Sequence, residues 1–573
     1  MKKLLLFLIV MIMVLSACAS KREFQSSFVN MSKEKEGTIE KQIDIKNEEK
    51  PMELTVYMTG TLALLGKGHN QVRYHITDYS VGPYGPLTNA GQEHGHMFYD
   101  PIKEFERESG ITINLQIFQN METIEDQIVQ DKQEGKKGPD IIIADFSGWG
   151  TDGKHNNIHR LIYNGWFADM MPCLEQDQVY VSNEYYNEVL EAGMLSGGQY
   201  VLPLCFNMNG IFTSREDMND FGVIIDEEMT SSELLSQLTL ASSLTEDGQL
   251  SIDTLSTYSV VTAWIQDYWE SSGCSVVDYE TGEAIMNREI FEDMAECFKE
   301  YLKMNVLEDW DTVLKGAKRT MNGSSWDAYI SPGEIETLDE KLEVEYPIKE
   351  TGLERINQGI FFYENSSLSV TSHSLPGQCV TLSSIYNDLN EEMVMIGVPM
   401  YEETDQYMAQ VQQYGCISSE SEYPYHSYQL LKHLLDHEYD PYYTIPVKKV
   451  NAENMLDELA STVYTFYLSM GATWRYDEDF TKAVETYDVQ PLPDNLKQQL
   501  QYMLDNIGGA SLPEASVYVP LVWHMEAYAF ELETMDEAYE NACADLEKHM
   551  QYIMAGDSEM DFSFNGYTRS FLK

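Results

Sequence analysis

The sequence predicts an α/β fold with a largely parallel sheet, and three observations carry that expectation. The stretch Gly138 to Gly150, GPDIIIADFSGWG, holds a continuous apolar run at Ile141, Ile142 and Ile143. Such a run suits a strand covered on both faces. Residues 52–146 alternate strand-like and helix-like patterns, as chains with parallel sheets do. The chain has 573 residues and 43% apolar content, enough for two to four domains or two large lobes.

The chain opens with Lys2 and Lys3, an apolar run from Leu4 to Leu15, and Ser16-Ala17-Cys18. This pattern predicts an export signal over 1–17, too short for a membrane span. Residues 18–50 balance basic and acidic side chains and hold few large apolar ones, which predicts a flexible tether.

The folded body is expected to begin near Met52, with Leu54, Val56 and Met58 alternating in a first strand. Residues 61–99 are rich in Gly, His and Tyr and are expected to form a long loop. Their His94-Gly95-His96 is a weak metal pattern. Asp100 and Pro101 predict a helix start, and Gly110 its stop. Ile111, Ile113, Leu115 and Ile117 alternate as a strand; Met121, Ile124 and Ile128 have helical spacing. The strand at Ile141 follows, and Asp145, Ser147, Gly148 and Trp149 stand at its carboxyl end. In an open α/β sheet that end faces the ligand crevice. An ordinary polar turn is the alternative.

Tyr200 to Phe206 reads as a strand broken at Pro203, and Ser214 with Asp217 as a helix cap. Residues 223–355 are more helical and acidic. Trp264, Tyr268 and Trp269 have helical spacing, which fits either a buried cluster or a cleft wall. DGQLSID, from Asp247, lacks the spacing and glutamate of a calcium loop. Trp326 follows a small polar turn as another exposed-ring candidate. Strand signals return at Ile360–Phe362, Met393–Val398 and Ala409–Ser419, with a helix through Leu430–Leu435. Thr534 and Glu537 predict a reciprocal cap for a last helix with Met535, Ala538, Ala542, Leu546 and Ile553 on its core stripe.

Lys and Arg number 37 against 94 Asp and Glu, a net charge of −57. That balance opposes nucleic acid and anionic membrane surfaces. Beyond Cys18 the cysteines are widely spaced, without CxxC, and read as buried small hydrophobes. His155, His159 and the other histidines form no combined ligand series in sequence. No P-loop, zinc motif or distinctive nucleophile motif is present.

Several segments, in order, resemble an extracellular solute-binding lipoprotein of an ABC importer, in the carbohydrate-binding family related to maltodextrin-binding proteins. They are PIKEFERESGITINLQIF, GPDIIIADFSGWG, LIYNGWFADMMPCLEQD and GGQYVLPLCFNMNGIFTSREDMNDFG, then INQGIFFYE, MVMIGVPMYEE, QVQQYGCISSESEYPYHSYQLLKHLL and IPVKK. Leu15-Ser16-Ala17-Cys18 resembles a lipoprotein processing box, which implies a lipid on Cys18 and a place on the outer face of the cell membrane. The family implies a two-lobed, periplasmic-binding-protein-like α/β fold with the ligand between lobes. Lobe 1 is expected over 51–175 and 356–440, a connection over 176–199, and lobe 2 over 200–355 and 441–573. Loops at 61–99 and 480–520 depart from the compact family pattern.

The resemblance implies reversible capture of a carbohydrate and its delivery to permease subunits by a monomer, with no catalysis, cofactor or metal. Asp145 and Trp149, Asn207 and Asn209 of the crossover, and Tyr414 are the implied ligand contacts, with Trp264, Trp326 and Glu364 as additions. Flat rings face sugar C–H patches and polar side chains bind hydroxyls. Turn capping by Asp145, backbone satisfaction by the asparagines and core packing by Tyr414 are the structural alternatives. The competing functions are binding of a peptide or other polar solute, an exported hydrolase, and a surface interaction protein. A hydrolase needs two carboxyls roughly 5–5.5 Å apart if retaining, or about 6.5–9.5 Å if inverting.

Overall fold

The computed structural model describes residues 49–59, 97–118, 121–145, 158–215, 269, 271–304, 371–388, 392–400, 405–438, 444–468, 485–512, 515–529 and 531–555. Its main elements begin with β1 (Glu53–Thr59), α1 (Tyr99–Ser109), β2 (Thr112–Phe118), α2 (Met121–Gln133), β3 (Ile141–Asp145) and α3 (Ile158–Tyr163). They continue with β4 (Leu202–Ser214), α4 (Arg288–Met304), β5 (Thr371–Leu375), β6 (Met393–Gly397) and β7 (Tyr407–Ile417). The last are α5 (Pro424–Asp436), β8 (Ile445–Pro446), β9 (Ile507–Ser511), α6 (Ala515–Ala529) and α7 (Met535–Ala555).

The strand–helix–strand–helix–strand order through Asp145 is the one the sequence predicts. β1 pairs in parallel with both β2 and β3. Leu54, Val56 and Met58 are fully buried, and so is the Ile141–Ile143 run. Asp140, just before β3, is buried with them. It accepts hydrogen bonds from the Thr55 N–H at 3.0 Å and from Ser421 Oγ at 2.7 Å, and Lys137 Nζ lies 3.1 Å away. One buried carboxylate thus ties the start of β3 to β1 and to the segment after β7. α1 begins two residues earlier than expected: Phe98 is its N-cap, so Asp100 sits in the first turn and does not cap. Gly110 ends it at φ +66°, donating its N–H to Glu106 O at 2.9 Å.

Beyond β3 the sheet is antiparallel except for β9, which runs parallel to β7. Its order is β8-β4-β7-β3-β1-β2, with β9 added to β7 and with β5 and β6 added to β4. β4 does not break at Pro203; it runs 13 residues to Ser214, and the helix cap expected of Ser214 with Asp217 lies outside the described residues. Proline is tolerated because the register shifts between Pro203 and Cys205, where no ladder bond is owed. The first part of β4 pairs with β7, and its last part pairs with β5 and β6. The carboxyl half of β7 pairs with β3, and its amino half with β9. Two long strands, β4 and β7, therefore join two halves of one sheet among the described residues.

Packing follows from this. α5 lies against β7 at Gly415, where a Cβ would sit 2.4 Å from Leu431 Cδ2. A second core is largely helical: α4, α6 and α7 enclose Trp269, Phe291, Leu521 and Leu546, all fully buried. Trp269 is thus core; Trp264 and Tyr268 lie outside the described residues. The cap of α7 forms as predicted. The Thr534 N–H donates to Glu537 Oε2 at 2.9 Å, and the Glu537 N–H donates to Thr534 Oγ1 at 3.3 Å. The helical core meets the sheet core where Tyr279 stacks on His159 of α3, centroids 3.6 Å apart, and where Tyr163 donates its hydroxyl to the Tyr279 carbonyl. Cys173, Cys205, Cys379 and Cys416 are buried, and burial pushes Cys205 up to about 12.

Candidate ligand-binding site

The carboxyl end of β3 and the waist formed by β4 and β7 gather the polar residues of the sheet. Asp145 closes β3 half-buried, and Thr59 closes β1 beside it. The Asp145 N–H donates to Thr59 Oγ1 at 2.9 Å, and Thr59 Oγ1 donates to Asp145 Oδ1 at 3.2 Å. The next strand over places Gln413 on the same rung as Asp145, and that rung continues to Cys205 of β4.

The register then shifts. Cys205 faces Gln413, but Phe206 faces Val411, so Gln412 of β7 is left out of the ladder. The following rung is Asn207 opposite Gln410, extended to Ser511 of β9. Without the bulge, Gln410 and Gln413 would point to opposite faces, because strand side chains alternate. With it, both share the face on which Cys205, Asn207 and Asn209 alternate along β4. A bulge re-aims side chains at a functional edge in this way. The result is one polar row on one face: Asp145, Gln413, Asn207, Gln410, Ser511 and Asn209.

Most of this row is removed from water. Asn207 and Asn209 are each 6% exposed and Gln410 is 5% exposed. Asn209 Nδ2 donates to Ser271 Oγ at 3.1 Å, so Ser271 lies over that end of the row. Gln413 Oε1 and Ser511 Oγ are buried without a hydrogen-bond partner among the described residues. Such an orphan costs about 1–3 kcal/mol. Buried polar groups in native proteins are nearly always satisfied, so each calls for a partner that completes it.

Of the residues expected at the site, Asp145, Asn207 and Asn209 join this row. Tyr414 does not. It pairs with Ala144, one step from Asp145, so the pleat sends its ring to the opposite face, where it is 2% exposed in the sheet core. Trp149, Trp264, Trp326, Glu364 and Cys18 lie outside the described residues. Sequence reasoning missed Gln410, Gln413 and Ser511. QVQQYG carries the two glutamines three residues apart, a spacing that alternation assigns to opposite faces, and only the bulge reunites them.

A second convergence was also missed. Glu104 of α1, His433 of α5 and His437 at the α5 C-cap bring ligand-type atoms within 4.8 Å of one another. The signal in sequence was the i, i+4 pair in HLLDH, on adjacent turns of one helix. Its third member stands far back in the chain. Among the described residues no helix is long and apolar enough to cross a membrane.

Comparisons with known proteins complete the description. No protein-family profile matches the chain. No characterised protein matches it by sequence. By structure, it is similar to an extracellular solute-binding protein of family 1 from Alicyclobacillus acidocaldarius, at 13% identity and a TM-score of 0.46, over 88% of this chain and 100% of the other. It is similar to a periplasmic oligogalacturonide-binding protein from Yersinia enterocolitica at 13% identity and a TM-score of 0.47, with coverage of 88% and 100%. It is also similar to an ABC substrate-binding protein from Listeria monocytogenes solved with cycloalternan, at 13% identity and a TM-score of 0.44, with coverage of 88% and 100%.

Proposed function

We propose that the chain is the substrate-binding component of an ABC importer, which captures a carbohydrate or related polyhydroxylated solute and hands it to permease subunits. The observation that carries this reading is the bulge-phased polar row at the waist, with two buried acceptors or donors left unmatched. Amide and hydroxyl groups in a row suit a neutral ligand rich in hydroxyls. Each can donate to or accept from an OH without burying a net charge. Asp145, held by Thr59, supplies the single carboxylate of the row and accepts from sugar hydroxyls as a charge-assisted partner.

The waist also explains how binding couples to shape. Among the described residues β4 and β7 join the two halves of the sheet, so a ligand bridging them would bias the angle between halves by its differential contacts. Binding is reversible and breaks no bond in this reading; among the described residues the row carries one carboxylate, Asp145. The leader at 1–17, a lipid on Cys18 and the tether to residue 50 would hold a monomer at the outer face of the cell membrane. Lobes over 51–175 with 356–440, and over 200–355 with 441–573, are the corresponding proposal for domain organisation. Trp149, Trp264, Trp326 and Glu364 remain proposed ring and hydroxyl partners.

Calorimetry of the chain lacking residues 1–18 against oligosaccharides, peptides and amino acids tests the proposal. It expects saturable sugar binding, with thermal stabilisation of about 2.7 kcal/mol at one hundred times Kd. Binding confined to peptides, or none across the sugar panel, contradicts it.

A further inference from the structure

We propose that Glu104, His433 and His437 form a site for a divalent transition metal of the zinc type, remote from the polar row. The two histidines stand one turn apart at the end of α5, their rings 5.9 Å between centroids. α1 packs against that helix and presents Glu104 from the facing side. His437 Nδ1 lies 3.8 Å from Glu104 Oε2. The other Glu104 oxygen, Oε1, accepts from Arg107 Nη2 at 3.2 Å, which orients the carboxylate and leaves Oε2 turned to the histidines.

His433 supplies the independent observation. Its Nε2 is buried and has no hydrogen-bond partner among the described residues. The ring is held in place against Phe105, with centroids 5.7 Å apart. A buried imidazole nitrogen without a partner is costly, and a metal bond would satisfy it. Two imidazoles and one carboxylate are the donor set of an open zinc site, with water completing the tetrahedron. Zinc ligands sit about 2.0–2.2 Å from the metal, which places ligand atoms roughly 3–3.6 Å apart. The present spread is at most 4.8 Å, so closure needs side-chain movement of about an ångström. Glu104 and His437 are half-exposed and can supply it.

The surroundings favour a cation. Asp100 and Glu438 lie close enough to His437 to act on its charge, and both are acidic. A bound metal would cross-link α1 to the C-terminal end of α5. It would thereby brace one half of the sheet without touching the waist.

The test uses the full chain, stripped of metal by chelation and titrated with Zn²⁺ in a calorimeter and with Co²⁺ in a spectrophotometer. The expected result is one tight site per chain, with Co²⁺ producing visible bands of tetrahedral intensity. E104Q and H437N should each weaken Zn²⁺ at least about tenfold, as loss of a ligand does. Both positions are half-exposed, so the metal-free variants should melt with the metal-free wild type, and Zn²⁺ should raise the melting temperature of the wild type alone. Tight Zn²⁺ binding that persists unchanged in E104Q, H437N and H433A would overturn the proposal. Absence of binding by the wild type would overturn it as well. Sugar binding should be the same with and without Zn²⁺, which keeps this site separable from the waist.

Discussion

Single residues carry unequal weight, and the structure ranks them. Asp140 satisfies a strand N–H and a serine hydroxyl in a buried setting. D140A would leave both without an acceptor, at a cost of about 2–4 kcal/mol read from urea unfolding. D145A, at the half-buried end of the next strand turn, should cost less stability and more ligand affinity. Gly415 needs no special dihedral but has no room. G415A would press on Leu431 and cost about 1–3 kcal/mol. Asp145 and the asparagines were legible in sequence as polar groups at a strand end and a crossover. Tyr414 was open between platform and core because a tyrosine in an alternating strand serves either face. Only the pairing of Tyr414 with Ala144 shows which face it takes.

At the scale of elements, local chemistry was legible and register was not. The Thr534–Glu537 cap was readable because its partners are three residues apart and act before any tertiary contact. T534A should destabilise the helical core by about 1 kcal/mol. The length of β4 was hidden by Pro203, which breaks strands unless a bulge removes the need for its N–H. The bulge at Gln412 left no mark in QVQQYG, since it is imposed by the neighbouring strand. α6 and α7 also carry a titrating contact. His524 is fully buried, with Nδ1 2.8 Å from Glu533 Oε2 and Nε2 3.6 Å from Asp545 Oδ2. Burial opposes its charge, but the nearby carboxylates of Glu533 and Asp545 prevail and hold its pKa above the usual 6.5. Such a group adds stability that is fully present below the unfolded value and is lost as pH rises through the folded value. The melting temperature should therefore fall more steeply between pH 6 and 9 in the wild type than in H524Q. Parallel pH profiles would contradict this.

For the whole molecule, the parallel β1–β2–β3 unit followed from periodicity because its strands are close in sequence and fully covered. The mixed half did not, since it assembles segments from 202–214, 371–375, 393–397, 407–417 and 507–511. The same distance hid the meeting of Glu104 with His433 and His437. What the assembled sheet achieves is a narrow waist with a row of amides and hydroxyls on one face, and that row is the basis of the proposed sugar capture. Ser511 tests it most directly, because its buried Oγ has no partner among the described residues. The decisive measurement is the calorimetric affinity of S511A for the tightest sugar of the panel, with the ligand-free melting curve recorded beside it. The account predicts an unchanged or raised ligand-free stability, since removing an unsatisfied hydroxyl costs nothing, and an affinity lowered about three- to tenfold by the lost hydrogen bond. Full affinity in S511A, or a loss of affinity matched by a loss of ligand-free stability, would contradict it.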